Sequence, residues 1–151
     1  MDLVQDGLRV RFEYRDDDGT GIVGVEVRSS GFAGESGAWF TDNDLLGFAE
    51  QLHVYPLADQ QVRLSSGYET DDGIDEHVGL TVRAAGRRGA IAVTAHLATP
   101  ADQVDHDYPA GSVRVEVLTS YEALGRFAAE IRNLVAGTLK EARLDADVVG
   151  G

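Results

Sequence analysis

Several stretches of this chain alternate apolar and polar residues with a period of two. That pattern commits it to half-buried β-structure more firmly than any other feature does. In the first stretch Leu8, Val10, Phe12 and Tyr14 alternate with Arg9, Arg11, Glu13 and Arg15. The turn Asp16-Asp17-Asp18-Gly19 and the run Ile22, Val23, Val25 and Val27 complete a hairpin. Val62 and Leu64 open a further strand, and Val78, Leu80 and Val82 alternate in the next. After a turn at Gly86-Arg87-Arg88-Gly89 come Ile91, Val93, Ala95 and Leu97, with Ala92, Thr94 and His96 on the opposite face. Val113, Val115 and Val117 form the last strand. These spacings predict an antiparallel meander, with loops over 66–76 and 98–111.

Two helical patterns interrupt the alternation. The stretch SSGFAGESGAWFTDNDLLGFAEQL (29–52) opens with Gly31, Gly34 and Gly37, which read as a tight loop. Its Phe32, Trp39 and Phe40 are too apolar for solvent and are expected to fold back onto the core. GFAGESG lacks both the Lys-Ser/Thr ending of a phosphate loop and the Rossmann glycine spacing. Thr41 with Asp44 forms a capping box, and Phe40 with Leu45 a hydrophobic staple. Leu45, Phe48, Ala49 and Leu52 make one apolar stripe, so a helix is expected over 42–53, closed by Pro56. In the second pattern Thr119 and Glu122 read as a capping box. Leu124, Phe127, Ala128, Ile131, Leu134, Val135 and Leu139 supply a wide apolar face, and Glu122–Arg126 is an i,i+4 pair. The two helices echo each other, and each follows a Val-Glu-Val strand (25–27 and 115–117), a likeness that amphipathic helices share generically. The expectation is one α+β domain over 1–151, with residues 145–151 frayed. It has about six mostly antiparallel strands in one sheet and two helices packed on one face.

The chain must hold this core without staples, since its 151 residues include no cysteine. That excludes disulfides, thiol nucleophiles and thiolate metal sites, and it fits a cytoplasmic protein. The N-terminus has no secretory pattern, and no run approaches the length of a membrane span. The formal charge is −13, of which residues 1–60 carry −8, 61–110 carry −4 and 111–151 carry −1. Such a field repels nucleic acid and anionic lipid and favours cationic partners.

No motif assembles chemistry. His53, His77, His96 and His106 show no metal-ligand spacing, and no serine sits in a nucleophile elbow. Asp16, Asp18, Thr20 and Gly21 match the first positions of a calcium loop. Val27 stands where the closing glutamate belongs, so the segment reads as a hairpin turn. No catalytic residue, cofactor site or metal site is assigned, and a non-enzymatic role is expected.

GFAG(x)4WF, DLLGFAEQL, YPL and the late TSYEALGRFAAEI helix together resemble the WapI-like immunity proteins of bacterial polymorphic toxin systems. The resemblance runs from about residue 18 to 144 through core and turn positions. It implies stoichiometric binding to a toxin's C-terminal domain that blocks the toxin's active site, and no site residue is carried over from it. The acidic charge favours a basic protein partner, and with that reading the contacts are expected from three acidic loops. Those loops contribute Asp16, Asp17 and Asp18; Asp71, Asp72, Asp75 and Glu76; and Asp102, Asp105 and Asp107, with Tyr68 and Tyr108 as aromatic anchors. Two other roles suit the same composition: an interaction domain that self-associates through sheet edges, and a small-ligand binder.

Overall fold

The first hairpin forms as the alternation requires. The computed structural model describes residues 5–53, 61–71, 73–86, 89–99 and 110–146. β1 (Gly7–Arg15) pairs antiparallel with β2 (Thr20–Ser29), burying Leu8 and Val10 against Val23, Val25 and Val27. In the connecting turn the Asp18 carboxylate accepts from the Thr20 amide at 3.1 Å and hydroxyl at 2.7 Å, while Gly19 takes φ 83°.

The sequence reading departs from the structure at the next element. Residues 32–41, expected as a glycine loop, form β3 (Phe32–Thr41), paired with β2 along its whole length. Ser30 (φ 53°) and Gly31 (φ 88°) make the two-residue turn with both angles positive that suits tight hairpins. The other two glycines are strand residues placed where something comes close. A Cβ at Gly34 would overlap the Val113 side chain, and one at Gly37 would touch Glu13 and Ile22. Only Phe40 and Ala38 of this strand are core residues. Phe32 is 67% exposed and Trp39 46%, so neither folds back as expected, because they lie at the tip and on the outer face.

β3 runs directly into α1 (Asp42–Gln51), which ends two residues before the expected boundary. The capping box is present: the Asp44 amide donates to Thr41 Oγ1 and the Thr41 amide to Asp44 Oδ2, both at 3.0 Å. Leu45, Phe48 and Ala49 are buried as the stripe predicts. Pro56 lies outside the described residues.

β4 (Val62–Thr70), β5 (Gly73–Ala84), β6 (Ala90–Ala98) and β7 (Ser112–Ser120) form the expected meander. The loop expected over 66–76 is a longer hairpin, carried past a bulge at Ser66 and Gly67. β7 leads into α2 (Tyr121–Ala136), whose cap is Ser120, its Oγ accepting from the Ala123 amide at 3.1 Å. Thr119 is not the cap. It is buried and donates to the Asp145 carbonyl at 2.9 Å. Gly137 in the left-handed conformation closes the helix, which leaves Leu139 beyond it and partly exposed. The chain then adds β8 (Ala142–Asp145), unforeseen in the sequence, antiparallel to β1. Residues 147–151 lie outside the described residues.

Among the described residues, eight strands therefore make two four-stranded antiparallel sheets, ordered β3-β2-β1-β8 and β4-β5-β6-β7, where one sheet of about six strands was expected. The α+β class holds. The inner faces of both sheets, α1 and α2 share one hydrophobic core. The strand before α1 is β3, so the Val-Glu-Val echo fails at residues 25–27, which belong to β2. Arg15 joins the first sheet to both helices, donating to Asp42 at 3.0 Å and to the Val135 carbonyl at 2.7 Å.

β3 contacts all four strands of the second sheet and so runs across them. Gly34 meets Val113 of β7, Ser36 Oγ donates to the Ala98 carbonyl of β6 at 2.6 Å, and Ser66 Oγ of β4 donates to the Trp39 carbonyl at 2.6 Å. Its inward residues Gly34, Ser36 and Ala38 are small where the second sheet comes close, with the Val113 side chain at Gly34 and the Ala98 carbonyl at Ser36. Gly34→Ala should therefore destabilise the chain by about 1–3 kcal/mol through overpacking. Adding Val113→Ala should recover most of that loss in a double-mutant cycle read by urea unfolding.

Candidate functional site

Strand parity places Glu35, Gly37 and Trp39 of β3 on the face opposite Gly34, Ser36 and Ala38. On the neighbouring strands that outer face carries Arg9, Arg11 and Glu13 of β1 and Ile22, Gly24 and Glu26 of β2. A cleft of about 400 Å³ opens over these residues and is completed by Gly67, Tyr68 and His77 of the β4–β5 hairpin with Thr99, the residue after β6.

On the floor of the cleft Gly24 and Gly37 pair across the strands, and the Glu13 side chain lies over both. One wall is ionic. Arg9, only 7% exposed, pairs with Glu26 at 2.5 Å and with Glu141 at 3.4 Å, while Arg11 stands 3.9 Å from Glu26. A buried pair with excellent geometry is needed here, since taking two charges from water costs several kcal/mol per ion. The opposite wall is aromatic. Trp39 meets Tyr14 edge to face with centroids 5.9 Å apart, and Tyr68 meets the buried His77 in the same manner at 4.8 Å. Tyr14, Trp39 and Tyr68 are 52%, 46% and 38% exposed, so each keeps a large part of its ring in solvent.

The sequence-predicted acids divide by location. Asp16, Asp17 and Asp18 sit on the β1–β2 turn, where the Tyr14 hydroxyl donates to Asp16 at 2.5 Å and ties the turn to the aromatic wall. That bond, with the charge of Asp16, raises the Tyr14 phenol above its ordinary value. The Thr20 hydroxyl holds the Asp18 carboxyl below the usual range. Asp71 and Asp75 are exposed on the β4–β5 hairpin beside Tyr68. Asp72, Asp102, Asp105, Asp107 and Tyr108 lie outside the described residues.

Glu76 belongs to no acidic loop. It is a β5 residue on the outer face of the second sheet, and its carboxylate is 14% exposed. One oxygen takes a hydrogen bond from Ser65 and one from Arg63 at 2.8 Å, and the other lies 2.8 Å from His96 Nδ1. Burial alone would raise this carboxyl. The bonds from Ser65, Arg63 and His96, with the Arg63 charge, outweigh it and bring the value down to about 2. His77, expected among loop acids, is a β5 residue only 2% exposed.

Trp39, Glu13 and Glu35 were missed as site residues. A strand reading of 32–41 would have put Trp39 on the same face as Glu35 and Thr41, and that parity was the available signal. Among the described residues no group of three or more histidines and carboxylates is placed to hold a metal, and no helix is long and apolar enough to cross a membrane. No family model, curated protein or solved structure matches the chain.

The Glu76 carboxyl sits at about 2 in the folded chain against about 4.5 when exposed. Its contribution to stability is therefore complete above about pH 4.5 and is lost as pH falls through about 2. Glu76→Gln should lower stability at pH 7 by about 2 kcal/mol and flatten that part of the acid-unfolding curve, as read by circular dichroism.

Proposed function

We propose that this chain is a non-catalytic binding domain that captures a basic protein through the cleft beside β3, acting as an immunity protein toward a bacterial toxin. One observation carries the reading. Two exposed aromatic side chains, Trp39 and Tyr68, line one cleft of a molecule whose formal charge is −13, and exposed Tyr14 stands edge to face against Trp39 beside it. Tight interfaces concentrate their energy in a few aromatic anchors, and complementary charge brings the partner in and orients it. The Asp16–Asp18 turn stands at one end of the aromatic wall through the Tyr14–Asp16 bond, and Asp71 and Asp75 accompany Tyr68. A basic surface would thus meet carboxylates on both sides of its apolar contact.

Toxic nucleases act on polyanions and carry positive surfaces, which matches an acidic inhibitor. The resemblance of the helical and glycine-aromatic segments to WapI-like immunity proteins points to the same partner class.

The test is calorimetric titration of the chain with the C-terminal domain of a toxin encoded beside it. One-to-one binding in the nanomolar range is expected, weakening at least tenfold between low and high salt. Trp39→Ala should cost about 2 kcal/mol or more. Reversal of Asp16, Asp18, Asp71 and Asp75 to lysine should abolish the salt dependence. Failure to bind, or an affinity indifferent to both changes, would overturn the reading.

A further inference from the structure

We infer that Tyr14 is a positioning residue for the Trp39 anchor, and that Asp16 acts on the cleft by holding Tyr14 through its hydrogen bond. The inference rests on the docking reading above and names the residues that set the anchor's direction.

The arrangement starts from a β-bulge. Strict alternation would put Tyr14 on the inner face of β1 with Leu8, Val10 and Phe12, which belong to the core or pack against it. The register of β1 against β2 shifts between Phe12 and Tyr14. Phe12 stands opposite Val23, a core residue, whereas Tyr14 stands opposite Ile22, which lines the cleft. Residues directly opposite on adjacent strands share a face, so the extra residue, Glu13, turns Tyr14 away from the core and onto the outer face. Ile22 in turn stands opposite Trp39 of β3. Tyr14, Ile22 and Trp39 therefore form one cross-strand row, and the two rings meet across it edge to face at 76°.

A half-exposed indole on a sheet has several rotamers open to it. Each one closed before the partner arrives lowers the entropy lost on binding. An edge-to-face ring pair biases such an equilibrium roughly two- to tenfold beyond the area it buries. Tyr14 can give that bias only if its own ring is held. The phenol donates to Asp16 Oδ1 at 2.5 Å, and a hydroxyl bonded to a carboxylate is held about twice as strongly as one bonded to a neutral acceptor. Asp16 is itself fixed at the mouth of the turn, where its amide donates to the Thr20 carbonyl at 2.8 Å. The contacts run from turn backbone to carboxylate, to phenol, to indole. Asp17, next in the turn, carries the same charge without a bond to the phenol and serves as the control.

Trp39 is the only tryptophan, so its time-resolved fluorescence anisotropy reads the indole directly. In the parent chain the decay should follow the tumbling of the whole molecule. Tyr14→Ala should add a sub-nanosecond component, and Tyr14→Phe and Asp16→Ala a smaller one. Asp16→Asn keeps an acceptor for the phenol and loses the charge, so it should behave as the parent does, and so should Asp17→Asn. In the toxin titration at high salt, where the charge field is screened, Tyr14→Ala should weaken binding about three- to tenfold. At that salt Asp16→Ala should weaken it severalfold and Asp16→Asn leave it unchanged. In a Trp39→Ala background Tyr14→Ala should have no further effect, because its action passes through the indole.

A decay unchanged in Tyr14→Ala, Asp16→Asn behaving as Asp16→Ala does, or a loss of affinity from Tyr14→Ala that persists in the Trp39→Ala background would overturn the proposal. The two readings separate cleanly. A freed indole in Tyr14→Ala with no toxin binding in the parent chain leaves the positioning role and removes the docking reading. A toxin domain that binds Tyr14→Ala as tightly as the parent chain removes the positioning role and leaves docking intact.

Discussion

The crossing of β3 over the second sheet is the contact on which the rest of the architecture depends. Two sheets can approach along an edge strand only if that strand carries little on its inner side. Gly34, Ser36 and Ala38 meet that condition, and the two serine-to-carbonyl bonds, from Ser36 and Ser66, satisfy backbone groups that the crossing would otherwise strand away from water. Once β3 is seated, its end delivers Thr41 to cap α1, and α1 packs against α2 over the shared core. The same crossing brings the β4–β5 hairpin to the outer face of the first sheet, which turns an ordinary polar sheet surface into a cleft.

Both sheets hold charge in places where water is scarce, and they do so in the same way. Arg9 and Glu26 are paired across adjacent strands, with Glu141 and Arg11 near enough to share the charge. Glu76 is surrounded by three donors from neighbouring strands and from its own hairpin partner. Each carboxylate would be costly if left alone, and each instead acts as a polar fastening between strands. The acidity of the chain is therefore not all surface field. Glu26 and Glu76 are structural, whereas Glu13, Asp17, Asp18 and Glu35 are exposed.

Most of the regular structure was legible residue by residue. The alternation in β1, β2, β5, β6 and β7 is strong because one face of each strand is core and the other is not. The capping box of α1 and the apolar face of α2 are local patterns; the first forms as written and the second as far as Val135, with Leu139 beyond the helix. β3 was illegible because small inward residues and glycines imitate a loop, whereas their reason is the close approach of groups from other strands, Val113 at Gly34, the Ala98 carbonyl at Ser36 and Glu13 at Gly37. β8 is four residues long, too short for a period to show, and it exists because β1 offers it an edge. Thr119 looked like a cap because it precedes the helix, but its hydroxyl is drawn to the Asp145 carbonyl, a partner 26 residues away. Of the site, Tyr68 with Asp75 and the Asp16–Asp18 turn could be read as exposed groups, while Glu76 could not be told from a solvated acid.

The sequence by itself determined the strands with two distinct faces, the start of α1, the absence of thiol chemistry and the sign of the molecular field. These follow from local periodicity, short-range capping and composition. Only the tertiary structure decided that the strands divide into two sheets and that Trp39 faces outward. It also decided that Glu13 lies over paired glycines and that two hairpins distant in sequence enclose one cleft. A period of two says that a strand has two sides. Which side is covered, and by what, depends on residues far along the chain that come near only when the core closes.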